Sequence, residues 1–352
     1  MRAAVLHAPK DLRIEEAELA APGPRQVRVG VAAGGICGSD LHYYYNGGFG
    51  TVRLKEPMIL GHEVSGVVEA VGAEVTRVTP GDRVALNPSR PCGACRYCLA
   101  GMPNHCLDMR FYGSAMRMPH VQGAFAEALI VDEAQCVPVP TRVPLTSAAF
   151  AEPLSVGLHA VRRAGPLVGR SVLVTGQGPI GALAVAAAKV AGAGRIVATD
   201  VVDAALTASR AMGADETINV ASDAETLAAY GADKGRFDVA LEASGNPAAL
   251  RSALDVVRPG GVIVQMGLGG DMTLPMNMVV AKELELRGTF RFHEEFAWAV
   301  EFIASGRIDV TPILTDVFPL VEADRAFELA ADRNRAMKVQ LAVNPDYADA
   351  LG

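Results

Sequence analysis

The sequence predicts an α/β protein of two domains, one built mainly of short strands and one alternating strand with helix. Three observations carry this expectation. The chain is 352 residues long, about twice the ~150 residues of a typical domain. Residues 1–150 hold short β-branched runs set among glycines and prolines, the texture of a strand-rich unit with long loops. From Arg170 onward, apolar strand-like runs alternate with alanine-rich helical stretches, which implies βαβ units around a parallel sheet.

In the first part, residues 27–31, 66–71, 82–86 and 128–131 read as strands, because β-branched residues dominate and turn residues lie close by. In the second, 171–175, 195–200, 239–241 and 262–266 are strand candidates separated by helix-like segments. After Arg287 the texture is mixed, with one helical stretch at 294–304 and a terminal strand at 336–343. No segment is of low complexity and no repeat has a solenoid period.

Composition narrows the function classes. Hydrophobic residues make up 50% and charged residues 20%, which suits a globular chain with sizeable cores. The formal net charge of −7 is the reverse of the basic excess that nucleic-acid binders show. No apolar run reaches the ~18 residues of a membrane span; the most apolar stretch, 180–190, is cut by Gly181 and Lys189. The N-terminus has no apolar segment of signal-peptide length. A cytoplasmic protein with neither nucleic-acid nor membrane partners is expected.

Gly176-Gln177-Gly178-Pro179-Ile180-Gly181 follows one strand candidate and opens a helix. Gly176 would permit a tight turn, Gly178 a close approach of backbone to a pyrophosphate, and Gly181 close helix–strand packing. The helix N-terminus adds free N–H groups and a positive dipole end. Asp200 ends the next strand, nineteen residues after Gly181, where a carboxylate can bind both ribose hydroxyls of NAD. The fold expected here is a doubly wound Rossmann sheet binding NAD. NADP is the alternative if an arginine such as Arg210 folds back. Gly267 and Leu268, after a further strand, are expected near the nicotinamide end, or else form a plain loop.

The six cysteines are distributed unevenly. Cys92, Cys95, Cys98 and Cys106 fall within fifteen residues, whereas a disulfide-stapled domain would be shorter and spread them more evenly. Four thiolates at this spacing can close a tetrahedral shell around zinc and leave no open position. That site would be structural. Cys136 has no motif and reads as packing, and His7, His105, His120 and His159 read as ordinary structural histidines.

Cys37, in Gly-Ile-Cys37-Gly-Ser39-Asp-Leu-His42, and His62-Glu63, in GHEVSGVVEAVG, are ambiguous taken singly. Together with the cysteine lobe and the glycine motif, in that order, they resemble the zinc-containing medium-chain alcohol and polyol dehydrogenases along essentially the whole chain. The resemblance implies a GroES-like catalytic domain of residues 1–150 and 288–352, with a Rossmann domain of 151–287 inserted. It implies two zinc ions, one structural and one catalytic. Ala151-Glu152-Pro153-Leu154 stands where alcohol dehydrogenases proper carry a further cysteine, as in sorbitol dehydrogenase-like members. The catalytic zinc is then expected on Cys37 and His62 with Glu63 or Glu152.

By the same resemblance Ser39 and His42 form a proton relay, Glu152 serves the catalytic centre, and Arg291 contacts substrate or cofactor; Arg110 and Arg117 are weaker candidates for holding a substrate carboxylate. Longer stretches, among them NPSRPCGACRYC, DMRFYGSAM and RGTFRF, resemble the branch of the family that oxidises the sugar acid L-idonate. The expected activity is therefore hydride transfer from a sugar acid to NAD(P), with neutral polyols such as sorbitol or xylitol as the alternative substrates and a non-catalytic zinc protein as the remoter one. A homodimer or homotetramer is expected.

Overall fold

The computed structural model describes residues 1–352. Six strands form a wholly parallel sheet in the order Glu216–Asn219, Arg195–Asp200, Ser171–Thr175, Phe237–Glu242, Val257–Gln265, Glu285–Gly288. The strand order reverses between Ser171–Thr175 and Phe237–Glu242, and ligands bind such sheets in the crevice at that point. Val172, Leu173 and Val174 are all fully buried, as expected for a sheet covered on both faces. Helices Ala151–Ala164, Pro179–Val190 and Glu295–Ala304 pack on one face, and Pro247–Val256 and Met276–Lys282 on the other.

A second, seven-stranded sheet draws on both ends of the chain. Its central strand, Gln26–Gly35, pairs with Glu63–Val71, Ala128–Asp132 and the terminal strand Lys338–Ala342. One core follows from that pairing: Val29, Val31, Val64 and Phe125 pack with Phe327, Val339 and Leu341. Each such side chain contributes about 1.5–3 kcal/mol on burial, so the tail is tied to the N-terminal half by packing as well as by hydrogen bonds. The pairing sets Gln340 opposite Gly35, and Gly35 opposite Glu63. Lys338 thereby arrives beside Glu63.

The strand candidates all fall on strands. Gln26–Gly35 runs further than its β-branched start suggests, through Ala32, Ala33, Gly34 and Gly35. Small residues send no strand signal, yet here smallness is needed: a Cβ on Gly35 would lie 2.2 Å from Glu63 Oε2. The strands Asp11–Glu16, Glu216–Asn219, Glu285–Gly288 and Leu314–Pro319, which interleave polar with apolar residues, form no long apolar run. No helix is long and apolar enough to cross a membrane.

Candidate active site

Two compact groups of metal-ligating side chains and one large cavity account for most of the residues singled out in the sequence. The first group begins at Cys37, which caps helix Gly38–Asn46 in extended conformation. Asp40, in the first turn of that helix, accepts a hydrogen bond from Cys37 N at 3.0 Å with one oxygen and from Gly61 N at 3.1 Å with the other. It thus locks the two loops that present Cys37 and His62. The same carboxylate faces His62 Nδ1 at 3.6 Å, slightly too far for a hydrogen bond, and that buried nitrogen has no other partner. A carboxylate behind one ring nitrogen, leaving the other for a metal, is the usual support of a ligating histidine.

The ligand atoms of Cys37, His62 and Glu63 lie within 4.8 Å of one another. Glu63 is also held by Lys338, whose ammonium meets both carboxylate oxygens at 2.8 and 2.7 Å. Glu152, in the first turn of Ala151–Ala164, is buried and has no hydrogen bond from the protein. Burial, reinforced by the negative charges of Glu63 and Cys37 although His62 works against them, raises its pKa to about 8. Burial and the charge of Glu63 push the Cys37 thiol up to about 12. Three acidic donors around one buried lysine fit a cation: only added positive charge lets all of them ionise together.

Ser39 is half-buried, two residues after Cys37 in the first turn of the helix. His42, three residues on and therefore on the same helix face, is exposed beside Phe49. The pair runs from the buried group to water. Arg291 has a backbone φ of 55° and stacks its guanidinium on Phe111 and Phe290, at 4.2 and 5.0 Å from the ring centroids. Phe111 in turn packs on His62 with ring centroids 5.5 Å apart. Arg291 also lines a cavity of about 400 Å³ with Phe111, Ser114 and Met116. Burial brings its pKa down to about 10, opposed by the nearby charge of Glu152. Its one hydrogen-bonding contact is Met116 Sδ at 3.5 Å. Of the other two arginines, Arg117 is spent on the carbonyls of Met109 and Leu107 and on Asp108, and Arg110 is exposed on a short strand.

In the second group Cys92, Cys95, Cys98 and Cys106 bring four sulfurs within 4.8 Å of one another, with Cys95–Cys98 at 3.6 Å and Cys95–Cys106 at 4.0 Å. A tetrahedron of ~2.3 Å zinc–sulfur bonds has edges of about 3.8 Å. None of the cysteines is in a disulfide. Backbone N–H groups of Cys98 and Leu107 draw the Cys95 thiol down to about 6, whereas burial and the adjoining sulfurs drive Cys98 up to about 12. This crowding of thiols is again relieved by a cation.

The cavity, about 610 Å³, lies at the reversal point of the parallel sheet and is lined by Gly176, Asp200, Val201, Ser244, Asn246 and Arg333 among others. The three motif glycines differ in what a side chain would meet. Gly176 takes φ 80°; at Gly181 a Cβ would strike Gly176 O at 1.8 Å; at Gly178 a Cβ would point into open space, the room a pyrophosphate needs. Pro179 opens the helix and Ile180 is half-buried beside it. Asp200 accepts from Gln177 N at 2.5 Å and from Val201 N and Val202 N at 2.7 and 3.0 Å. Gly267 and Leu268 are not part of this lining: Gly267 packs on Gly245, and Leu268 is 87% exposed. Arg210 is likewise outside it, bonded to Thr217.

Comparison with known proteins agrees with this geometry. The alcohol dehydrogenase GroES-like domain matches residues 23–141 and the zinc-binding dehydrogenase family matches 179–305. L-idonate 5-dehydrogenase (NAD(P)+) of Escherichia coli K-12 is 45% identical over 314 residues, 89% of this chain and 90% of its own length. The chain belongs to the zinc-binding medium-chain dehydrogenases. Sorbitol dehydrogenase of Bacillus subtilis is 39% identical over 98% of both chains. The crystal structure of the E. coli L-idonate 5-dehydrogenase superposes with a TM-score of 0.94 at 42% identity, covering 97% of each chain. As a member of this family the protein is an NAD(P)-linked, zinc-dependent oxidoreductase acting on CH–OH groups.

Three residues that the structure brings to these groups were not singled out from the sequence. Asp40 had one available signal, its position three residues after Cys37 at a helix start, where a carboxylate can cap. Lys338 had another, a single charge that opens a buried, mostly apolar strand. Arg333 had none.

Proposed function

We propose that the protein oxidises L-idonate at C5 to 5-keto-D-gluconate, with NAD or NADP as the hydride acceptor. Two relationships support the reading: the likeness to the E. coli enzyme over nine-tenths of the chain, and Arg291. The latter carries the choice of an acid over a neutral polyol. A half-buried guanidinium with no carboxylate in hydrogen-bond reach is a ready partner for a substrate carboxylate, which must be met by donors once it leaves water.

In this reading residues 1–150 and 288–352 form the GroES-like catalytic domain and 151–287 the Rossmann domain. Cys37, His62 and Glu63 would hold the catalytic zinc, and Cys92, Cys95, Cys98 and Cys106 the structural one. When bound, the zinc supplies a Lewis acid that lowers the pKa of a substrate hydroxyl, and the nicotinamide supplies the hydride acceptor. The chain's own residues do the rest. Arg291 fixes the carboxylate end and so selects which hydroxyl reaches the Cys37–His62 centre. Ser39 accepts the hydroxyl proton, and His42, exposed one turn along, passes it to solvent. Glu152, buried without a protein partner, accepts a hydrogen bond from a hydroxyl in the site. Lys338 and Asp40 hold Glu63 and His62 in place. Gly267 and Leu268 border the nicotinamide end.

A second reading, a dehydrogenase of sorbitol, xylitol or a similar neutral polyol, is favoured by the match to the B. subtilis sorbitol dehydrogenase across nearly the full chain. Arg291→Ala separates the two. The assignment expects a rise of tenfold or more in KM for L-idonate with little change for sorbitol; unchanged kcat/KM on every accepted substrate defeats it. A cytoplasmic homodimer or homotetramer completes the proposal, and sedimentation of the purified protein tests the assembly.

A further inference from the structure

We propose that Arg333 is the residue that admits NADP: its guanidinium neutralises Asp200 and takes the 2′-phosphate of the adenosine ribose. The proposal rests on the dinucleotide reading of the cavity and goes beyond it in assigning cofactor choice to one side chain.

An acidic residue at the end of the second parallel strand normally disfavours NADP, because its charge repels the 2′-phosphate. NADP-accepting sheets place an arginine close by. Here the segment after Asp200, Val-Val-Asp-Ala-Ala-Leu-Thr-Ala-Ser, has no cation, and Arg210, the first to follow, is turned onto Thr217 outside the cavity. The cation comes instead from the far end of the chain. Arg333 lies between helix Ala323–Ala331 and strand Lys338–Ala342, and its Nη2 reaches Asp200 Oδ2 at 3.3 Å. It is the one cationic residue lining the cavity.

The two side chains are unequally committed. Asp200 is 2% exposed and already accepts three backbone N–H groups, those of Gln177, Val201 and Val202. Arg333 is 61% exposed and has Asp200 as its single partner. A guanidinium carries five N–H donors in a planar fork suited to phosphate, so most of its donors are free. Beside a neutralised carboxylate they offer a site for a dianion. Without the phosphate, Asp200 still faces the ribose hydroxyls, and NAD is accepted as well.

The test is calorimetric titration of the purified full-length protein with 2′,5′-ADP and with 5′-ADP, in the wild type and in Arg333→Ala and Arg333→Lys. The proposal expects Arg333→Ala to weaken 2′,5′-ADP by about tenfold or more, the scale of a charge-assisted contact to phosphate, while 5′-ADP is unchanged or slightly tighter. Arg333→Lys, which keeps the charge but not the fork, should recover part of the loss. If Arg333→Ala weakens both probes equally, the arginine is only a structural partner of Asp200 and the proposal falls. It falls too if neither probe is affected. If neither probe binds the wild type, the dinucleotide reading of the cavity fails and the proposal with it.

Discussion

Lys338 donates to both carboxylate oxygens of Glu63, at 2.8 and 2.7 Å, and also to Ile36 O at 3.0 Å. Both residues are almost wholly buried. Burial would draw the ammonium's pKa down, but the negative charges of the Glu63 carboxylate and the Cys37 thiolate more than offset it, so the lysine's pKa lies above its ordinary value. The final strand thus delivers the countercharge for a carboxylate of the proposed zinc-binding group in the first half. Removing one member of a buried ion pair costs about 3–5 kcal/mol, because the other is stranded. Lys338→Met is expected to lower Tm markedly and to reduce zinc retention at the Cys37 group, measured by thermal melting and by metal analysis after dialysis. An unaltered Tm and zinc content would show the pair to be incidental.

The relay makes a kinetic prediction. Ser39→Ala should cut kcat by about 10²- to 10⁴-fold, the contribution of a positioned proton acceptor, with cofactor affinity unchanged. His42→Ala should cost less, because its exposed ring can be replaced by buffer, and added imidazole should restore part of the rate. Equal, imidazole-independent losses in both variants would contradict a relay running outward through His42.

For the cysteine lobe the expectation concerns metal and stability together. Cys95→Ser removes one sulfur from a four-sulfur group and should abolish the structural zinc while the Cys37 group keeps its own. Metal content should therefore halve, and the lobe between Cys92 and Cys106 should become sensitive to protease. Full metal content in this variant would contradict a closed four-thiolate site.

Glu295 supplies a pH prediction away from the metal groups. It is fully buried, with Oε1 within 2.9 Å of His159 Nδ1 and 3.0 Å of Arg162 Nη1, and Oε2 accepting from His293 N at 2.8 Å. Burial works to raise its pKa, but hydrogen bonds from His159 and from the His293 backbone overcome that and hold it at about 2. A carboxylate whose pKa is lowered on folding adds stability above its unfolded value, and that stability drains as pH falls from about 5 toward 2. Glu295→Gln should accordingly melt below the wild type at pH 7, with the gap narrowing as pH falls through this range. A gap that stays constant down to pH 3 would contradict the account.

What was legible in the sequence follows the range of the interactions involved. The parallel sheet could be read because its strands are continuous apolar runs, and Ser171–Thr175 and Arg195–Asp200 fall where their composition puts them. The four-cysteine lobe and the glycine turn were legible because ligand and turn spacing are local. Arg291 and the split arrangement came only through family resemblance; nothing in the local texture after Arg287 indicates that Val339 and Leu341 pack with Val29 and Val64. Lys338 and Arg333 lie 275 and 133 residues from their partners Glu63 and Asp200. No local pattern encodes such a pairing. The first is set by how the terminal strand registers on Gln26–Gly35.

The most direct test of the central claim is the kcat/KM of the purified enzyme for L-idonate set beside that for sorbitol and xylitol, each with NAD and with NADP. An Arg291 free to meet a carboxylate predicts that L-idonate is oxidised at least tenfold more efficiently than either polyol. Turnover of the polyols alone, with L-idonate inert under both cofactors, would contradict it.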